Sequence, residues 1–259
     1  MAETDVKTGD QRLSVEALQA WEQLGLGMFI HFGLSTFVAK ELPSGNDPST
    51  TYAPDRLDVD QWVQVARDTG MKYAVLTTKH VSGHCLWPSD LTDYHVGTSG
   101  NATDVVEAFV TACDRHGLMP GFYYCSWDNH HRFGSRTWSD LLPGEPFTRQ
   151  YTTREYEDFQ WAQLEELLTR YGRIGEVWID IPMALTRDYR NRLYAHIAGL
   201  QPDAVIVMNS GCTDGSPANQ SIYAWPTDVV TIERHLPPSA SDVGRLAGVS
   251  WCPCSASTA

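Results

Sequence analysis

Positive charge is scarce in this chain. Nineteen Lys and Arg face 32 Asp and Glu, for a formal net charge of −13. Such a surface repels phosphate backbones and anionic lipid, so neither nucleic acid nor a membrane is expected as a partner. No apolar run approaches the roughly 20 residues that would cross a bilayer. The first residues, "MAETDVKTGDQRL", hold no apolar leader core, which makes a cytoplasmic location the default expectation. Patterns of the GxSxG and Walker kind are missing, which disfavours an activated Ser and nucleotide phosphate chemistry. Cysteine spacing excludes more: "CPC" at 252–254 lacks the gap and the partner pair of a zinc site. Cys85, Cys113 and Cys125 sit in apolar segments, where Cys is usually a small buried hydrophobe. Neither a metal, a cofactor nor a disulfide framework is expected.

Aromatic and imidazole groups are plentiful, with nine Trp, eleven Tyr and nine His. They suit a cleft for a neutral polar ligand such as a sugar, although large cores also use Trp. Apolar residues make up 42% and charged residues 20%, a globular balance. The length of 259 residues fits one α/β barrel or two smaller domains.

Strand-like runs alternate with helical ones. Strands are expected at 26–33, 72–80, 118–127, 171–182, 204–209 and 228–233. Helices are expected at 58–70, 102–117, 151–172 and 187–202, three of them closed by Gly. This alternation predicts a parallel sheet with crossover helices. The polar residues choose the version. His31, His80, Trp127 with Asp128, Asp180, Asn209 and Glu233 all fall at or just past strand C-termini, the face where barrel active sites form. "HFGLSTF" is no phosphate-binding turn, which argues against an open doubly-wound sheet. The expected fold is α/β: a (β/α) barrel-like domain with fewer than eight regular strands, an incomplete TIM-type barrel. One domain over 1–259 is expected, with an atypical tail at 239–259 that adds one irregular element.

"YGRIGEVWIDIP" raises the sharpest question, because a buried strand ends on Asp180. That carboxylate reads either as a nucleophile or base, or as a helix cap or salt-bridge partner. His80 and His84 in "KHVSGH" are four apart, but on a loop rather than a helix, which argues against a metal pair. They read as hydrogen-bonding groups for a ligand or as structural histidines. Glu41, Asp128, Asp228 and Glu233 are candidates for a second carboxyl.

"GMFIHFGLSTF", "KYAVLTTKHVSGHCLWPSDLTDYHV" and "YGRIGEVWID" together resemble the α-L-fucosidases of glycoside hydrolase family 29, in order and in spacing. The resemblance covers about residues 21–238. It implies a retaining exo-glycosidase acting on fucosylated glycans, with Asp180 as nucleophile. It also implies His31, His80 and Glu41 around fucose, and apolar walls from Trp127 and Trp178. The family acid/base has no strong local motif. Glu233 is the only Glu after Asp180, and is the candidate. Two positions depart from the pattern. Val81 stands where a second His is usual, so His84 is a candidate replacement contact. Ile181 stands where Gly usually follows the nucleophile. The tail does not resemble the family's continuation. The alternative expectation is therefore a lectin-like fucose binder with weak or no turnover, and an open strand edge would favour self-association.

Overall fold

Parallel pairing organises the chain. In a computed structural model, which describes residues 12–132, 152–209, 226–233 and 254–257, five strands form one sheet in chain order. They are β1 (Gly27–Ile30), β2 (Tyr73–Lys79), β3 (Met119–Cys125), β4 (Glu176–Asp180) and β5 (Val205–Met208). Every neighbouring pair is parallel. Helices α3 (Val59–Asp68), α4 (Val105–His116), α5 (Arg154–Arg170) and α6 (Arg187–Leu200) make the crossovers. Each begins at a side-chain cap, on Asp58, Asp104, Thr153 and Thr186 respectively. Gly117 ends α4 with φ +70, the left-handed turn Gly adopts most cheaply. Two helices lie outside the sequence expectations: α1 (Val15–Glu22), capped by Ser14, and the short α2 (Leu34–Val38).

Period-two alternation gives the sheet two buried faces. Ala74, Leu76, Phe122, Tyr124, Val177, Ile179, Ile206 and Met208 pack outward against the crossover helices. Val75, Tyr123, Cys125, Trp178, Val205 and Val207 pack inward, with Leu18 and Trp21 of α1. Gly121 makes this inner layer possible, since an added Cβ would lie 2.9 Å from a Val75 methyl. Trp21 donates to Glu176 at 3.3 Å, which seats α1 against the strands' N-terminal end.

The sheet is not closed. The run expected at 228–233 forms β6 (Val230–Glu233), which does not join the five strands by a ladder. It pairs in parallel with β7 (Cys254–Ser257), inside the tail read as atypical. Side chains preceding β6 occupy the edge of β5. Asp228 accepts from the Ile206 amide at 2.8 Å, and the Thr227 hydroxyl from the Met208 amide at 3.1 Å. Amides already satisfied this way cannot also bond a strand backbone.

Candidate active site

Asp180 is where the buried strand meets the cleft. Ile179 is fully buried, Asp180 half-buried, and the chain then turns sharply. The turn is made at Ile181, whose φ of +50 is a left-handed conformation. A β-branched residue adopts that conformation only when the surroundings hold it. Here its side chain is buried in the inner cluster beside Trp127, Trp178 and Met183. Pro182 follows and opens a short 3₁₀ turn.

Both oxygens of Asp180 are engaged. Tyr123 donates its hydroxyl to Oδ2 at 2.5 Å, and Asn209 donates its amide to Oδ1 at 2.7 Å. Strand register explains the first bond. Cys125 lies opposite Asp180, so Tyr123 sits two residues deeper on the same inner face. The second follows from the Asn209 amide pairing with the Ile179 carbonyl, which sets Asn209 beside Asp180 at the end of β5.

A register shift brings His80 to the same place. Between Thr77 and Lys79 the β2–β3 ladder slips, and the slip inverts the alternation. Lys79 turns outward, its ammonium 4.2 Å from the Tyr124 ring centre. The His80 ring then packs inward, 5.7 Å from Tyr123 and 5.6 Å from His31. Burial lowers both imidazoles, with His80 pushed to about 4 by desolvation and by His31, against the pull of Asp180. At neutral pH both are uncharged and able to donate and accept. Glu41, exposed on the loop after α2, adds its charge to the field at His31.

Aromatic walls complete the cluster. Trp178 meets Phe29 edge-on at 5.2 Å, and Phe29 stacks on His31 at 4.9 Å. His80 Nδ1 and Trp178 Nε1 are buried with no partner among the described residues. Trp127 belongs to the same inner cluster. Its indole donates to Asn129 Oδ1 at 2.8 Å, and Asn129 donates to the Pro43 carbonyl at 2.7 Å. His130 Nδ1 reaches the Gly45 carbonyl at 2.7 Å. These bonds pin the loop that carries Glu41 to the rim.

His84 sits elsewhere. Its Nε2 bonds the hydroxyls of Ser99 and Ser49 at 2.9 and 3.1 Å, and its ring stacks on Tyr52. Asp128 is occupied by Lys79 at 2.6 Å, His131, and the backbone amides of His130 and His131. Asp228 is bound by Arg12 and Tyr194. The backbone of Glu233 ends β6, and its side chain lies outside the described residues. A cavity of about 790 Å³ between β1 and α3 is lined by Ile30, Phe32, Leu57 and Trp62. Of the cluster around Asp180, only Phe29 reaches it.

Tyr123 and Phe29 are not among the site residues expected from the sequence. Period two along β1, β3 and β4 could have found Phe29 and Tyr123, and Asn209 was visible as a polar strand end.

The chain is similar to known α-L-fucosidases. The α-L-fucosidase family model matches residues 45–252. Alpha-L-fucosidase 1 of Arabidopsis thaliana is 35% identical over 246 residues, 90% of this chain and 46% of its own length. The α-L-fucosidase isoenzyme 1 of Paenibacillus thiaminolyticus superposes with a TM-score of 0.68 at 28% identity, covering 87% of this chain and 57% of that one. A glycoside hydrolase 29 family member from a rumen bacterium gives 0.65 at 28% identity, covering 85% and 38%. The chain thus spans less than half the length of the Arabidopsis relative. None of these relatives is named as a lectin, so they lend the non-catalytic alternative no support. The chain belongs to the α-L-fucosidase family of glycoside hydrolases.

Proposed function

We propose that this chain carries the fucose-binding and nucleophilic half-site of a retaining α-L-fucosidase. The observation that carries the reading is Asp180, held by Tyr123 and Asn209 at the mouth of an aromatic-lined inner face. The carboxylate attacks the anomeric carbon as the glycosidic bond breaks, giving a fucosyl ester. The leaving oxygen takes its proton from a second carboxyl. Water then attacks the ester, gives its proton to that same carboxyl, and frees fucose with its configuration retained. Glu233 is the proposed acid/base. A spacing of about 5 Å to Asp180 is what retention requires.

Neutral His31 and His80 suit the sugar hydroxyls, because they exchange hydrogen bonds without competing for the nucleophile's charge. Phe29 and Trp178 offer an apolar recess for the methyl group of a 6-deoxy sugar. Glu41, whose charge acts on His31, and Trp127, in the same apolar cluster as Trp178, are the remaining proposed contacts. His84, tied to Ser49 and Ser99, is left out of the proposed contacts.

Release of nitrophenol from nitrophenyl α-L-fucoside tests the reading, with product configuration followed by NMR. The expected product is α-fucose. Formation of β-fucose, or turnover by Asp180→Asn at the wild-type rate, refutes the mechanism.

A further inference from the structure

We propose that Thr231 is a positioning residue for the nucleophile, its hydroxyl holding the Asn209 amide so that the NH₂ end faces Asp180. The inference rests on Asp180 acting as proposed above. Asn209 has a donor at one end of its amide and an acceptor at the other, and the two ends have nearly the same shape. A carboxylate can only accept, so the productive arrangement turns Nδ2 toward Asp180 and leaves Oδ1 facing away. Thr231 Oγ1 meets that oxygen at 2.7 Å, matching the 2.7 Å from Nδ2 to Asp180 Oδ1.

The placement is notable because Thr231 belongs to β6, which joins no ladder of the five-stranded sheet. Thr231 is 1% exposed, and its hydroxyl ties β6 to the catalytic rim. Seating of the segment after β5 is thereby transmitted to one oxygen of the nucleophile, while Tyr123 holds the other independently. Glu233 lies two residues further along β6, so one strand bears on both partners of the reaction.

Among the described residues, the groups facing Asp180 are Tyr123 and Cys125 from β3, Asn209 after β5, His31 after β1 and His80 after β2, with Glu41 acting on His31. Thr231→Val leaves all of them in place and removes one hydroxyl. A carboxylate with a less firmly held donor is a poorer anion and a less well aimed nucleophile. In the full chain, assayed with nitrophenyl α-L-fucoside from pH 4 to 9, kcat is expected to fall about 10-fold with KM nearly unchanged. Thr231→Ser restores kcat. If the valine variant does not fold, Thr231→Cys, whose thiol is a weak donor, replaces it with the same expectation.

A wild-type kcat in Thr231→Val, alongside an inactive Asp180→Asn, overturns the positioning role alone. A lower melting temperature with unchanged kinetics does the same, because it reports a structural bond only. A wild-type chain that releases no nitrophenol overturns the positioning role together with the reading beneath it.

Discussion

Asp128 and Asp180 are the same residue type at the ends of adjacent strands, yet they live in opposite surroundings. Asp128, just past β3, is fully buried against an equally buried Lys79 and takes two backbone amides as well. Burial alone would push its carboxyl up, but Lys79 and the His131 hydrogen bond outweigh that and hold it well below the ordinary range. Asp180 is half-buried, and its named donors are neutral, a phenol and an amide. A carboxylate neutralised by a contacting cation is stable and unavailable. One held by neutral donors at a cleft keeps its charge free for an electrophile. The contrast shows that strand-end position marks candidates, and the partners sort them.

The largest effects test the two acids against each other. Asp180→Asn is expected to cut turnover by roughly 10⁴-fold, with the melting temperature nearly unchanged. Asp128→Asn, by contrast, leaves Lys79 buried without its counter-charge and is expected to cost about 3–5 kcal/mol of stability, read by urea unfolding. A larger stability loss in the first variant than in the second would break the comparison. Replacing the pair together, Lys79→Met with Asp128→Leu, should recover most of that loss, since the expense lies in the unpaired charge.

A third acid sharpens the contrast through pH. Glu176 is fully buried on β4, four residues before Asp180, with a Trp21 hydrogen bond at 3.3 Å, and burial raises its carboxyl to about 7. Its unfolded value is about 4.3. Its favourable contribution is therefore whole below that value and is lost as pH rises through about 7. Asp128 has the opposite sign: its contribution is whole above about 3.9 and is lost as pH falls toward its depressed folded value. Buried histidines such as His31 and His80, lowered by desolvation, add the opposite slope in the same range. The effect is therefore read as a difference: the gap in urea midpoint between the wild type and Glu176→Gln should shift steadily against the wild type from pH 5 to about 7. A gap that does not change with pH assigns the effect elsewhere.

The smallest expected effect concerns His84. Its bonds to Ser49 and Ser99 predict that His84→Leu loses about 1–3 kcal/mol of stability and leaves KM for the nitrophenyl fucoside within about twofold. A rise in KM beyond about tenfold would return this residue to the sugar site.

Much of the scaffold could be read from the chain. The β–α alternation, the caps at Asp58 and Asp104 and the Gly stop at 117 are local signals, because periodicity and capping act within a few residues. The N-terminal helix follows a polar leader that masks it, although Ser14 followed by Leu18 and Trp21 carries the signature of a capped helix with one apolar face.

The sequence by itself determined that an acid ends a buried strand and that histidines end two others. It also determined the family, through long motifs whose order and spacing are preserved. The tertiary structure alone decided that Asp128 is held by a cation and Asp180 by neutral donors. It set the slip in β2 that sends Lys79 outward and His80 inward, a choice made by pairing with β3 and invisible in local pattern. It brought Tyr123, Asn209 and Thr231 to Asp180 across 57, 29 and 22 positions of chain, counted between bonded partners. Hydrogen bonds of that reach depend on register between strands, and register is fixed only when the whole sheet packs.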